Sequence, residues 1–378
     1  MLEKTLVRHK MTDLHYGGRV LDFWFLAHEQ TGEPVHEICG YALISRINGA
    51  HKTLGTSRTY VQHLKQFWED VVLWNGLDWR EISDEDISSY LHDHRFKAKG
   101  LSGKTIQGQL AAISEFYKWA YKYGLLEYPK EIEIGFDFPE LLDAMTYAKK
   151  EMLIQSQFIP KDEFNQLVEC IDRKSRYLSI RDELALLLGY ECGTRTSELT
   201  NQHNFKIKQI KALLKEAEAK GESTFDLKIY GKGNNKERTI LITTRVFNKL
   251  KIFVRDKKLR GKFSDDLPLF LDEKGKPIVS PDYGSGVFAR ARNRMPYSNK
   301  EWDNKVYHSL RHSFATNLAC WCYENNKSWQ SVIPPRMGHN DWQTSLIYVE
   351  ADALLNNRID FLEKIKSKGQ LKRYVRGK

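Results

Sequence analysis

Six residues of this chain carry side chains able to bind an anion, move a proton or attack as a nucleophile, and they fall in five short motifs. Arg195 stands in Gly193-Thr194-Arg195-Thr196-Ser197-Glu198-Leu199, at the junction of two predicted helices, with Glu198 one turn further on. Its guanidinium is a permanent, forked cation, and a helix-end cation or salt-bridge partner has the same look. Lys232 lies in Gly231-Lys232-Gly233, a turn in which a lysine is ordinarily just solvated. No Ser or Thr follows it and no helix opens there, so this is not a nucleotide-phosphate loop. His308 and Arg311 are three apart, hence on one helical face, which joins a proton acceptor to a cation. A half-buried histidine on a capped helix gives the same spacing. Gly338-His339 precedes a helix, capped by Asn340 or Asp341, that carries Tyr348, one tyrosine among 18.

The elements that must hold these residues emerge from the hydrophobic period. Residues 1–50 show an aromatic run at Asp22 to Ala27 and a Gly32-Glu33-Pro34 turn, and they lack a core of their own. From 51 to 128 the period is helical. Ser57 is the expected cap of a helix with Tyr60, Val61, Leu64, Phe67, Trp68, Val71 and Val72 on one side. Ser83 with Asp86, and then Ser102, start two more. Residues 129–157, bounded by prolines, read as a linker. Residues 158–362 form a second domain. It has a buried helix from Asp182 to Cys192 and a hairpin pairing Phe225 to Tyr230 with Thr239 to Ile242. Helices follow at Tyr307 to Trp321, Trp342 to Tyr348 and Ala351 to Ile365, and 363–378 is a basic tail. The expected fold class is mainly α with a small antiparallel β-sheet, in two domains.

Composition narrows the partners. The chain has 378 residues, is 41% hydrophobic and has five cysteines without zinc-like spacing, which excludes a disulfide scaffold. No apolar run is long enough to span a membrane, and no signal peptide opens the chain, so a cytoplasmic location is expected. The net charge of +10 favours a polyanionic partner, and 358–378 holds eight basic residues against two acidic ones.

Taken together, the five motifs resemble the tyrosine recombinases of the integrase family over roughly Ala50 to Leu362. Arg195 matches the first family arginine, and Lys232 with Lys236, Glu237 and Arg238 matches the family hairpin. His308-Ser309-Leu310-Arg311-His312 matches the His-x-x-Arg box and Met337-Gly338-His339 the Leu-Gly-His box, with Tyr348 as the nucleophile nine residues after His339. Residues 205–220, which look like an extra basic helix, and Cys192 depart from the pattern.

The resemblance implies a two-domain clamp, with a helical core-binding domain and an α+β catalytic domain closing on double-stranded DNA. It implies a site-specific recombinase, integrase- or transposase-like, of a mobile element, acting as a homo-tetramer on two duplexes at the nucleoid, with accessory proteins possible and no membrane partner. Tyr348 would form a 3′-phosphotyrosine and Arg195 and Arg311 would clamp the transition-state charge. His308 would accept the phenolic proton, Lys232 protonate the leaving 5′-oxygen, His339 bond the phosphate and Glu198 orient the site. Neither metal nor ATP is then required. Two alternatives share most of the motifs: a type IB topoisomerase, and a relative that only binds its site. A metal nuclease lacks support, because no carboxylate cluster of ligand spacing is present.

Overall fold

The computed structural model of the chain describes residues 5–51, 53–132, 134, 138–146, 154, 156–173, 175–231, 237–256, 264–296, 300–339 and 342–358. Its contacts divide the chain into two units, 1–148 and 149–378.

The N-terminal unit is helical where the sequence reading expected helices, between 51 and 128, and residues 5–50, whose fold that reading left open, add two strands and a further helix. It opens with a hairpin of β1 (Leu6–Tyr16) and β2 (Arg19–His28), in register from Leu6 opposite His28 to Tyr16 opposite Arg19, with a bulge between Met11 and Leu14. Helices α1 (His36–Ile47), α2 (Leu54–Phe67), α3 (Asp84–Ser89), α4 (Gly103–Lys122) and α5 (Pro139–Thr146) follow. Thr53, not Ser57, caps α2, accepting from Thr56 N at 3.1 Å, while Ser57 is buried in the second turn. Ser83 and Asp86 make the expected capping box of α3, and Ser102 caps α4. Both α2 and α3 run on through wider π-helical windings, at Trp68–Leu73 and Tyr90–Ala98.

One apolar core joins all these pieces: Leu6, Phe23 and Leu26 of the hairpin pack with Ile38, Leu64, Phe67, Ile113 and Phe116. Residues 6–42 thus contribute to the helical unit's core. The expected linker is also structured in part, because Leu141 of α5 is buried in this core, and Ile132, Ile134 and Phe138 pack on it.

The C-terminal unit is mainly helical. It comprises α6 (Lys161–Glu169), α7 (Arg176–Cys192), α8 (Thr196–Leu199), α9 (Ile207–Ala219), hairpin β3 (Phe225–Tyr230) and β4 (Glu237–Ile242), α10 (Thr244–Arg255), α11 (Tyr283–Arg292), α12 (Lys300–Asp303), α13 (Tyr307–Glu324), α14 (Trp329–Met337) and α15 (Gln343–Leu355). Helix α9 is the extra element read at 205–220. The apolar run in α7 makes it the buried centre of the unit, with Leu184, Leu186, Leu187 and Leu188 without exposed surface. Tyr307 anchors α13 to α7 by donating to Ala185 O at 2.9 Å.

Two helix ends matter for the site. Gly193 ends α7 with φ 66° and Gly338 ends α14 with φ 62°, a left-handed conformation that costs a residue with a Cβ about 1–2 kcal/mol. Helix α14 contains Pro334 and Pro335, which is why sequence reasoning did not find it. Of the helix expected at Ala351 to Ile365, 351–355 completes α15 and Asn357, at φ 53°, turns the chain so that Arg358 N donates to Ala353 O at 2.8 Å, while 359–365 lie outside the described residues. Lys232, Lys236, Asn340, Asp341 and the basic tail at 363–378 lie outside the described residues.

Candidate active site

The left-handed turn at Gly193 swings the chain out of α7 and presents Arg195 as the residue before α8. Glu198, one turn on, accepts from Arg195 N and from Arg195 Nη1, both at 2.8 Å. The carboxylate is fully buried, while Arg195 keeps 31% of its side chain exposed. Arg195 is therefore held from behind and open in front.

A third group completes this arrangement. Arg238 of β4 donates to Glu198 through Nη2 at 2.7 Å and Nε at 3.2 Å, and also to Gly193 O at 2.9 Å and Arg336 O. Burial alone would raise the Glu198 pKa, but the hydrogen bonds and charge of Arg238, then the charge of Arg311, outweigh it and hold the carboxyl below its usual range. Sequence reasoning placed Arg238 in the hairpin motif without giving it a role. The available signal was its strand position: it shares the buried face of β4 with Ile240 and Ile242.

Arg311 projects from α13, is 1% exposed, and donates to Gly193 O and Met337 O. Those carbonyls terminate α7 and α14, so the arginine caps two helix ends at once. Among the described residues no carboxylate lies within ion-pair distance of it. Burial first, then repulsion from Arg238 and Arg195, pulls its pKa down to about 9. A cation in this state gains most from an arriving anion.

The three histidines crowd the same end of the unit. His339 follows Gly338, and its Nδ1 pairs with Ser345 Oγ at 2.8 Å. His308 and His312 sit one turn apart on α13, with ring centroids 4.5 Å apart and edge to face. Desolvation, then Arg311 and Arg195, brings His308 to about 4, although part of its surface stays exposed. Desolvation, then His308 and Arg311, brings His312 to about 3, and desolvation, then Arg311 and Arg195, brings His339 to about 4. All three are neutral near pH 7.

Tyr348 on α15 is 6% exposed. Its ring is near-parallel to that of His339, with centroids 6.2 Å apart, and its hydroxyl lies 3.2 Å from His312 Nδ1. The sequence reading gave the proton-acceptor role to His308; in the free chain the ring nitrogen hydrogen-bonded to the phenol is that of His312. Burial raises the Tyr348 pKa, opposed by Arg311 and Arg195. One turn further along α15, buried Asp352 binds Arg358 Nη1 at 2.6 Å, and the Arg358 guanidinium lies 4.0 Å from the Tyr323 ring centroid of α13. Arg358, counted with the basic tail in the sequence, is thus a clasp between α15 and α13.

Arg195, Glu198, Arg311, His308, His339 and Tyr348 therefore come together in one unit, and Lys232 is outside the described residues. An open cleft lined by Arg195, Arg238, His339, Trp321 and Val332 gives access to the cationic groups. The arrangement can bind an anion between two guanidiniums and bring a phenol to it.

Comparison with known proteins places the chain in a family. The phage integrase family model matches residues 157–354, and the model of the phage integrase N-terminal SAM-like domain matches 42–124. Tyrosine recombinase XerC of Alcanivorax borkumensis is 26% identical over 325 residues, covering 80% of this chain and 91% of the relative. Among solved structures, the fold is similar to that of XerH site-specific recombinase bound to palindromic difH substrate, with TM-score 0.58, 20% identity and coverage of 82% and 80%. It is also similar to a lambda integrase (75–356) dimer bound to a COC′ core site, with TM-score 0.54, 13% identity and coverage of 83% and 95%. On the match over more than half its length, the chain belongs to the phage integrase family.

Proposed function

We propose that this protein is a site-specific DNA recombinase that breaks and rejoins strands through a phosphotyrosine at Tyr348. The single observation that carries the reading is the grouping of Tyr348, hydrogen-bonded to His312, with buried Arg311, beside a cleft lined by Arg195 and His339, in the unit matched by the integrase model.

In this reading a backbone phosphate of DNA enters between Arg195 and Arg311. The attacking phenol makes phosphorus five-coordinate and adds negative charge to its non-bridging oxygens, which the two guanidiniums stabilise without losing protons. The phosphodiester energy is kept in the tyrosyl ester, so no ATP is consumed, and the arginines supply the positive charge that a metal supplies elsewhere. His339 bonds the phosphate, Glu198 holds Arg195 in place, and Lys232 protonates the leaving 5′-oxygen. Strand exchange then takes four copies on two duplexes, acting on DNA in the cytoplasm, for a mobile element.

The test is a nicked duplex selected from a random-sequence pool for binding to this chain. The expected result is a covalent protein–DNA adduct in EDTA that disappears in Tyr348→Phe while binding persists. An adduct in Tyr348→Phe would move the nucleophile elsewhere, and adducts on any duplex regardless of sequence would favour a topoisomerase. Replacing the 5′-bridging oxygen by sulfur, a better leaving group, is expected to rescue Lys232→Ala but not Arg195→Ala. Equal failure of both on the sulfur substrate would reduce Lys232 to a phosphate contact.

A further inference from the structure

We propose that His312, rather than His308, is the general base that takes the phenolic proton of Tyr348; the inference rests on the nucleophile assignment above. His312 and His339 lie against the Tyr348 ring and His308 packs on His312, and their bonding separates their roles. His339 stacks near-parallel to the phenol ring with its Nδ1 committed to Ser345 Oγ at 2.8 Å, so it faces the ring and not the hydroxyl. His308 packs edge to face on His312, and no hydrogen bond joins its ring to the phenol. His312 alone among them puts a ring nitrogen on the phenol oxygen, Nδ1 at 3.2 Å. With Tyr348 only 6% exposed, bulk water has little access to that hydroxyl, and a proton leaving it needs an acceptor already in place.

The step balances within the site. His312 begins neutral, with its proton on Nε2 and a free lone pair on Nδ1. As the bond from Tyr348 Oη to phosphorus forms, the phenolic proton passes to Nδ1 and His312 becomes an imidazolium. The bond from phosphorus to the 5′-oxygen breaks, and that oxygen leaves with a proton from Lys232. Rejoining runs backwards: the imidazolium returns its proton to the tyrosyl oxygen as the 5′-hydroxyl attacks. Of the groups facing His312 and the phenol (His308, His339, Arg311 and Arg195), His308 and Arg311, together with burial, disfavour an imidazolium at His312 in the free protein, while Arg311 and Arg195 act on the phenol. A bound phosphodiester offsets the charge of both arginines, so His312 gains basicity when substrate arrives.

The experiment is single-turnover adduct formation on the selected nicked duplex, with the full chain. His312→Ala is expected to lower the adduct rate by about 10²–10⁴-fold with DNA binding retained, and added imidazole is expected to recover part of that loss. His312→Asn, whose Oδ1 accepts a hydrogen bond but takes no proton, is expected to be as slow as His312→Ala, and it serves where the alanine variant does not fold. A parental rate in folded His312→Asn overturns the proposal, and so does imidazole rescue of His308→Ala in place of His312→Ala. An adduct persisting in Tyr348→Phe would instead overturn the underlying nucleophile assignment, so the two failures are distinct.

Discussion

Two arginines of the C-terminal unit are buried to nearly the same degree, Arg181 at 7% and Arg311 at 1% exposure, yet their surroundings treat them in opposite ways. Arg181 binds Asp182 Oδ1 through Nε at 2.9 Å and Nη2 at 2.7 Å and donates to Leu271 O at 2.7 Å; Tyr283 and Arg290 complete the Asp182 shell. Burial pulls its pKa down, but Tyr283 and Asp182 more than offset this and the net shift is upward. Arg311 has two backbone carbonyls and two neighbouring guanidiniums, and its net shift is downward. A buried charge neutralised by the fold belongs to the scaffold. One left short of a counter-ion is held for something the chain itself does not contain.

This contrast can be broken by measurement. Arg311→Ala is expected to lower adduct formation by several orders of magnitude, because a charge-assisted clamp on the transition state is lost. Arg311→Lys is expected to be nearly as slow, since a point charge does not replace the fork. Arg181→Ala, which leaves Asp182 buried with one cation fewer, is expected to cost about 3–5 kcal/mol in denaturant unfolding, while the molecules that remain folded cut normally. If folded Arg181→Ala were as inactive as Arg311→Ala, the distinction between scaffold and site would collapse.

A smaller effect is expected at the turn that Arg311 caps. Gly193→Ala places a Cβ 2.4 Å from a ring carbon of Phe314, at φ 66°. The backbone term alone is about 1–2 kcal/mol, and the displacement of Phe314 adds to it. An alanine variant melting with the parent would show that the turn is not fixed by this contact.

The smallest effect is the pH dependence. The folded protein holds His308, His312 and His339 at about 4, 3 and 4, below the ordinary value of 6.5. The unfolded chain therefore binds more protons between these values, and stability that is complete above pH 6.5 is lost as pH falls towards 4. Thermal melting of the free chain should record that decline. The decline should be shallower in His312→Asn, which removes one of the three groups, and a flat profile would contradict the neutral assignment.

Much of the site was legible because spacing along a helix is also geometry. His308 and Arg311 had to share a face, and Gly193 had to end a helix. The same logic offered His312, four residues from His308, but spacing does not say which ring nitrogen reaches a tyrosine on another helix. Arg238 was legible in principle, as a charge on the core face of a strand whose other inward residues are isoleucines. The N-terminal hairpin escaped for a different reason. Most of β1 beyond Arg8 is exposed, so no burial alternation marks it, and the bulge at Met11 to Leu14 breaks the register. The Gly17-Gly18 turn was the remaining signal. In α14 two prolines hid a helix whose end carries His339.

One oxygen atom has a consequence for how this protein can change over generations. Gly193 O accepts from both Arg238 and Arg311, and Arg238 also holds the carboxylate that holds Arg195. Loss of Arg238 leaves the buried Glu198 with Arg195 alone, loss of Glu198 leaves Arg195 and Arg238 without their shared carboxylate, and loss of Arg311 removes one of the two donors on Gly193 O. Their effects cannot add. A lineage cannot explore these positions one by one, because the first step already forfeits what the second would preserve. The exposed part of β1 beyond Arg8 carries no such mutual dependence, and variation has room to accumulate there.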